Sequence, residues 1–154
     1  MGHGARSAAF CPPGDAAVEG TVNRRFVRYL WASPNTFLGL LCIPLAFVSG
    51  GRLAIVDGVL ELHGGLISLL IRCCSLLLNG ASAMTLGHVV IGRDGPSLDR
   101  TRPHERVHVR QCEVWGPAFL PAYLVAGCWG WLKGEGAYKG NYFERRALQS
   151  EARH

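Results

Sequence analysis

His104-Glu105-Arg106-Val107-His108 is the stretch of this chain best able to do chemistry. Residues four apart share one face of an α-helix, so His104 and His108 can turn ring nitrogens toward a single cation. Glu105, one position on, falls beside that cation rather than upon it, where a carboxylate can hold and deprotonate a water. Neutral imidazoles leave a divalent cation its charge, and Zn²⁺ in such a setting brings the pKa of water toward about 7. A nucleophile generated at neutral pH with a base next to it is what hydrolysis of an amide requires. The competing reading is an exposed charged helix whose His and Glu pair with Arg100, Arg102 or Arg110; Arg106, at a position usually apolar, favours it.

Two protein ligands make a weak zinc site, whereas two histidines and a carboxylate form a known catalytic set. Glu144 is the candidate third ligand, because a chain that climbs an apolar helix, turns and comes back can return it to the first helix. Its alternative is a solvated charge beside Arg145 and Arg146. Glu113, Glu135, Glu151, His63 and His88 stay open as ligands. Cys112 shares a face with His108 and reads better as a buried thiol.

The pentad needs a helix, and residues 97–116 supply one. Asp99 or Thr101 is expected to cap it, Pro103 to fall in its first turn, and Gly116-Pro117 to end it. Residues 114–132 follow without a formal charge, apolar on all sides, as a core or lipid-facing helix. A Gly-rich turn at 133–136 leads to a short final helix beginning near Asn141. Upstream, Asp57-Gly58 between two short alternating runs predicts a hairpin with a type I′ turn. Residues 83–92 have the β-branched character of one strand. Residues 66–78 are apolar and fit helix or strand equally.

The N-terminal part reads differently. Residues 1–22, rich in Gly, Ala and Pro, are expected to form a flexible tail, and a cleavable signal is not expected. From Tyr29 to Gly51 no formal charge occurs, about 34 Å as a continuous helix against a bilayer core of roughly 30 Å. Pro34-Asn35 resembles a helix start, which leaves 36–49 as the apolar helix, kinked at Pro44. Arg24, Arg25 and Arg28 precede it, and Tyr29 and Trp31 are interfacial aromatics. These features predict membrane attachment through residues 23–51, with residues 52–154 as the folded domain.

Composition agrees with that division. Of 154 residues 49% are hydrophobic and 18% charged, which excludes a disordered chain and disfavours a fully charged surface. Sixteen Lys+Arg against eleven Asp+Glu give +5, but no basic run occurs, so nucleic acid is not an expected partner. Six cysteines without a C-x-x-C pair read as buried, inert thiols rather than a disulfide scaffold.

The succession AMTLGHVVIG, HERVHVRQ, a Tyr-containing apolar helix and NYFERRA resembles the small zincin-type (HExxH, gluzincin-like) metallopeptidase domains over residues 83–147. The resemblance implies zinc held by His104, His108 and Glu144, with Glu105 as general base. It also implies that the 83–92 strand, with Thr85, Gly87, His88 and Val89, lies antiparallel to an extended substrate. Gln111 and Ala147 would pack or support the ligands. The chain departs from the gluzincin pattern at Leu148, where an acidic residue would orient a ligating histidine, and no oxyanion donor stands out among Tyr123, Tyr138, Tyr142 and His88.

The expected fold is therefore α+β: a short sheet with a hairpin, packed by the H-E-x-x-H helix and the apolar helix after it, and preceded by a hydrophobic membrane-associated helix. The expected function is a membrane-associated zinc metallopeptidase acting on a peptide or protein, with membrane lipid as second partner and the side of the active site open. The alternative is a non-catalytic small membrane protein that keeps such a domain as a structural or binding element.

Overall fold

A computed structural model describes residues 15–77 and 81–152, with side chains described from Phe26 onward and not for 75–77. Residues 1–14 of the expected tail, with Cys11, and Leu78 lie outside the described residues. The fold is α+β with a four-stranded mixed sheet and an apolar N-terminal helix. Its order is α1 (Asp15–Leu40), α2 (Cys42–Val48), β1 (Arg52–Val56), β2 (Val59–His63), α3 (Gly65–Leu77), β3 (Ala83–Leu86), β4 (Val89–Gly92), α4 (Gly95–Trp115), a 3₁₀ turn (Gly116–Ala118), α5 (Phe119–Leu132) and α6 (Tyr142–Glu151).

The sheet runs β1-β2-β4-β3. β1 and β2 are antiparallel, joined through Asp57 (φ 49°) and Gly58 (φ 77°), the pair of positive φ values that a type I′ turn demands. β2 and β4 are parallel, and β4 pairs antiparallel with β3 on the far edge. Residues 83–92 are thus a hairpin and not the single strand expected. Gly87 (φ 66°) makes the turn, and a Cβ there would lie 2.4 Å from the Thr36 backbone nitrogen, so the chain must reverse with α1 pressed against it.

Alternation along the strands divides the core between two faces. Leu62, Val89 and Ile91 pack with Ala46 of α2 and Ile67 and Ile71 of α3. Val59, Ala83 and Val90 pack with Leu98 and Val109 of α4. A third cluster, Ala32, Cys112, Phe119 and Phe143, joins α1, α4, α5 and α6.

Three helix boundaries differ from expectation. α1 already runs from Asp15, within the stretch read as tail, and passes straight through Pro34. The proline removes the donor for the Leu30 carbonyl, and the Ser33 hydroxyl takes its place at 2.7 Å. The break falls instead at Leu41, before the Pro44-containing α2. α4 is capped by Asp94, whose carboxylate accepts from the Ser97 N–H at 2.8 Å, not by Asp99 or Thr101. Pro96 then takes the early position expected of a proline, and Pro103 lies in the helix interior. Residues 66–78 resolve as helix to Leu77.

Two carbonyls at the end of α4, one in its last turn and one just past it, accept from α1. Trp31 Nε1 donates to Val114 O at 3.3 Å and Asn35 Nδ2 to Gly116 O at 2.7 Å. Gly116 (φ 54°) turns the chain under the Trp31 ring, where a Cβ would be 2.4 Å from ring atoms.

Candidate metal centre

α4 presents His104, Glu105 and His108 on its buried side, and α6 delivers Glu144 opposite. Glu144 arrives there because Asn141, fully buried, fixes the start of α6. Its side chain accepts from Phe143 N at 3.0 Å and donates to Tyr123 O on α5 at 3.1 Å. Gln111 ties α4 to α6 by donating to Phe143 O at 3.2 Å.

The donors converge. His104 Nε2 lies 3.0 Å from His108 Nε2 and 3.0 Å from Glu144 Oε2, and His108 Nε2 lies 3.3 Å from Glu144 Oε1. All three residues are buried, and one atom from each falls within 4.8 Å of the others, so this group could hold a metal ion. The far ring nitrogens are also engaged. His108 Nδ1 lies 2.8 Å from Gln111 Oε1, and His104 Nδ1 lies 3.3 Å from Glu151 Oε1. Such partners set the tautomer and the ring orientation. Tyr123 donates its hydroxyl to Glu144 Oε1, and the Tyr138 hydroxyl stands 3.5 Å from His104 Nε2.

Glu105 points into the same cavity, which measures about 510 Å³ and is lined also by Thr85, Phe119, Leu120, Tyr138 and Leu148. Thr85 Oγ1 donates to Glu105 Oε2 at 2.6 Å. Burial raises the pKa of Glu105 above the ordinary carboxylate value, against the pull of His108 and of the Thr85 hydroxyl. For Glu144 burial also acts upward, but hydrogen bonds from both histidines and Tyr123 outweigh it and hold the carboxyl well below the usual range. Burial opposes a charge on His108, yet its bond and attraction to Glu144 leave its pKa raised. Tyr123 and Tyr138 are pushed up, first by burial and then by Glu144, so both hydroxyls keep their protons near neutral pH.

Glu113, Glu135 and His88, also considered as ligands, lie elsewhere. Glu113 pairs with His88 at 3.3 Å and with Arg28 at 3.7 Å, and Glu135 pairs with Arg145 at 3.9 Å. His88, at the β3–β4 turn, is stacked on Tyr29. Cys112 is fully buried, its thiol pushed up to about 12 mainly by burial, whereas Cys73 and Cys128 are exposed and not the buried thiols expected. Of the residues expected along a substrate strand only Thr85 lies on β3. Gly87 and His88 form the turn, and Val89 is buried on β4. Arg106, odd by pattern, reaches away from the cluster to Val56 O at 2.6 Å and Glu61 at 3.4 Å. Arg102 forms two 2.9 Å bonds with the same Glu61.

Sequence reasoning kept Glu151 only as one of several alternative ligands, and the structure sets it beside His104 Nδ1. Glu151 stands seven positions after Glu144, two turns along one helix face, which is the signal that would have singled it out. Comparison with protein-family models, curated proteins and solved structures finds no match to this chain.

Proposed function

We propose that the chain is a membrane-associated, zinc-dependent metallopeptidase with a zincin-like domain, in which His104, His108 and Glu144 bind Zn²⁺ and Glu105 is the general base. The observation that carries this reading is the convergence of two imidazole nitrogens and the two oxygens of one carboxylate, at 3.0, 3.0 and 3.3 Å. Ligand atoms around a tetrahedral zinc with bonds of about 2.0–2.1 Å lie roughly 3.3 Å apart. Two imidazoles with one carboxylate also suit zinc, whereas calcium and magnesium favour oxygen ligands. Zinc held there supplies a Lewis acid that acidifies water and polarises a carbonyl oxygen.

The remaining work falls to the chain's own residues. Glu105 takes the proton of the attacking water and hands it to the leaving nitrogen, and its raised pKa suits a base working near neutral pH. Thr85, bonded to Oε2, keeps the carboxylate from swinging. Among the described residues β3 is an edge strand beside the cavity, so its outer N–H and C=O groups can pair with an extended peptide. The protonated Tyr138 hydroxyl stands within reach to donate to the developing oxyanion. Attachment to lipid is supported by Phe26–Val48, a 23-residue stretch long and apolar enough to cross a bilayer by length and composition.

Elemental analysis of the purified protein tests the metal: about one zinc per chain is expected, lost in His104→Ala. Glu105→Gln is expected to keep zinc and abolish peptide cleavage. Cleavage that survives Glu105→Gln, or protein that binds no zinc, refutes the peptidase. Zinc binding without cleavage by the parent protein leaves the non-catalytic alternative.

A further inference from the structure

The outer surface of α1 inverts the usual rule for a helix packed on a soluble domain. Ala32, Asn35 and Gly39, small or polar, face the protein and are buried. Phe26, Leu30, Phe37 and Leu41, large and apolar, share the opposite side and are exposed, Phe26 at 67%. Large apolar groups turned outward along one helical stripe have no stable place in water.

The exposed apolar surface does not stop at α1. Trp31, bonded to the Val114 carbonyl, links it to Val114 and Trp115, both exposed. α5 follows in the chain and carries no charged residue. Only Phe119, Gly127 and Gly130 are buried along it. Trp129, Trp131 and Leu132 at its end are 61%, 68% and 70% exposed, and Lys133 Nζ sits 5.2 Å over the Trp129 ring. Tryptophans capped by a lysine at the end of an apolar helix form an interfacial anchor, the stem lying in hydrocarbon and the charge among headgroups.

Lipid fits this surface better than a protein partner does, because the apolar stretches are bordered by positive charge. Arg24, Arg25 and Arg28 stand at the start of the α1 stripe, and Lys133, Lys139 and Arg146 follow α5, where Glu135 is paired with Arg145, within a chain of net +5. An anionic bilayer surface attracts such groups at about 1 kcal/mol each.

The inner side of α1 also decides how the chain meets the bilayer. It is tied to the domain by Asn35 and by Thr36, whose hydroxyl lies 3.3 Å from His88 Nδ1, and His88 in turn bonds Glu113, paired with Arg28. A crossing α1 would carry this polar network toward the bilayer centre at high cost. α5, with 14 residues, is about 21 Å long and too short to cross.

We propose that α5 is a second lipid-inserting element and that α1 and α5 together embed the protein in one leaflet of an anionic bilayer without crossing it. This rests on the membrane attachment proposed above and adds the element and the depth. Leu124, which is 60% exposed, lines the metal-site cavity as well, so the cleft opens beside the lipid surface.

The test is tryptophan quenching in the full chain bound to mixed phosphatidylcholine and phosphatidylglycerol vesicles. The acyl chains are brominated either near the headgroup end or near the methyl end. One variant keeps Trp31 alone (W115F, W129F and W131F), another keeps Trp131 alone (W31F, W115F and W129F), and circular dichroism verifies that each folds. Both tryptophans are expected to be quenched, about twofold or more strongly by the near-headgroup bromines, as for an interfacial helix. Trp131 unquenched while Trp31 is quenched overturns the role of α5. If Cys128, exposed on α5, then cross-links between chains, a second copy covers that face instead. A third variant replaces all four tryptophans by Phe and carries Phe37→Trp, at the middle of Phe26–Val48 and on the exposed side of α1; its quenching most strongly by the methyl-end bromines overturns the one-leaflet geometry. Neither residue quenched removes the membrane reading itself.

Discussion

Replacing Thr85 by Val probes the proposed base without touching a metal ligand. The substitution keeps a β-branched residue of similar shape at a buried position on β3, so the strand should form as before. It removes the hydroxyl that donates to Glu105 Oε2 at 2.6 Å. A hydrogen bond to a charged group contributes about 1.5–3 kcal/mol, and one pKa unit corresponds to about 1.4 kcal/mol. The bond favours the ionised carboxylate, so its loss lets the pKa of Glu105, already raised by burial, climb further by about one to two units. Two assays read the change. In peptide cleavage the acid limb of the kcat/KM profile should move to higher pH by that amount, with bound metal unchanged. In the metal-free protein the ¹³C shift of the Glu105 carboxyl should titrate higher by the same interval. A limb that stays in place, or moves to lower pH, refutes the assignment of Glu105 as the titrating base.

Further outcomes follow from single contacts. Glu151→Gln removes a negative partner 3.3 Å from His104 Nδ1 and should weaken zinc affinity about tenfold or more without abolishing it, as competition with a chelator would measure. Cys112, fully buried with its thiol pushed up to about 12, should resist alkylation at mildly alkaline pH in the folded protein while exposed Cys73 and Cys128 react; mass spectrometry after a brief pulse distinguishes them. Asn35→Ala removes the 2.7 Å side-chain donor to the Gly116 carbonyl, which keeps the Phe119 N–H, and should cost about 0.5–1.5 kcal/mol, a fall in Tm of about 1–6 °C by calorimetry.

Local chemistry was legible in the chain wherever a few neighbouring residues decide the outcome. Histidines at 104 and 108 share a helix face by periodicity, Asp57-Gly58 must turn with positive φ, and Gly116-Pro117 must stop a helix. Glu144 could be named as a ligand, but nothing near it in sequence distinguishes it from Glu113, Glu135 or Glu151. Its approach to His104 depends on Asn141 joining α6 to α5 and on Gln111 joining α4 to α6, contacts between residues far apart along the chain. The same limit misled the reading of Pro34 and of residues 83–92. A proline's missing hydrogen bond is replaced by the neighbouring Ser33, and at Gly87 the positive-φ turn lies against Thr36 of α1 with no room for a Cβ, a contact made from outside the segment. Pattern specifies which face a side chain takes on its own helix or strand; which other face it meets is set by packing, where each contact depends on every element that brings it there.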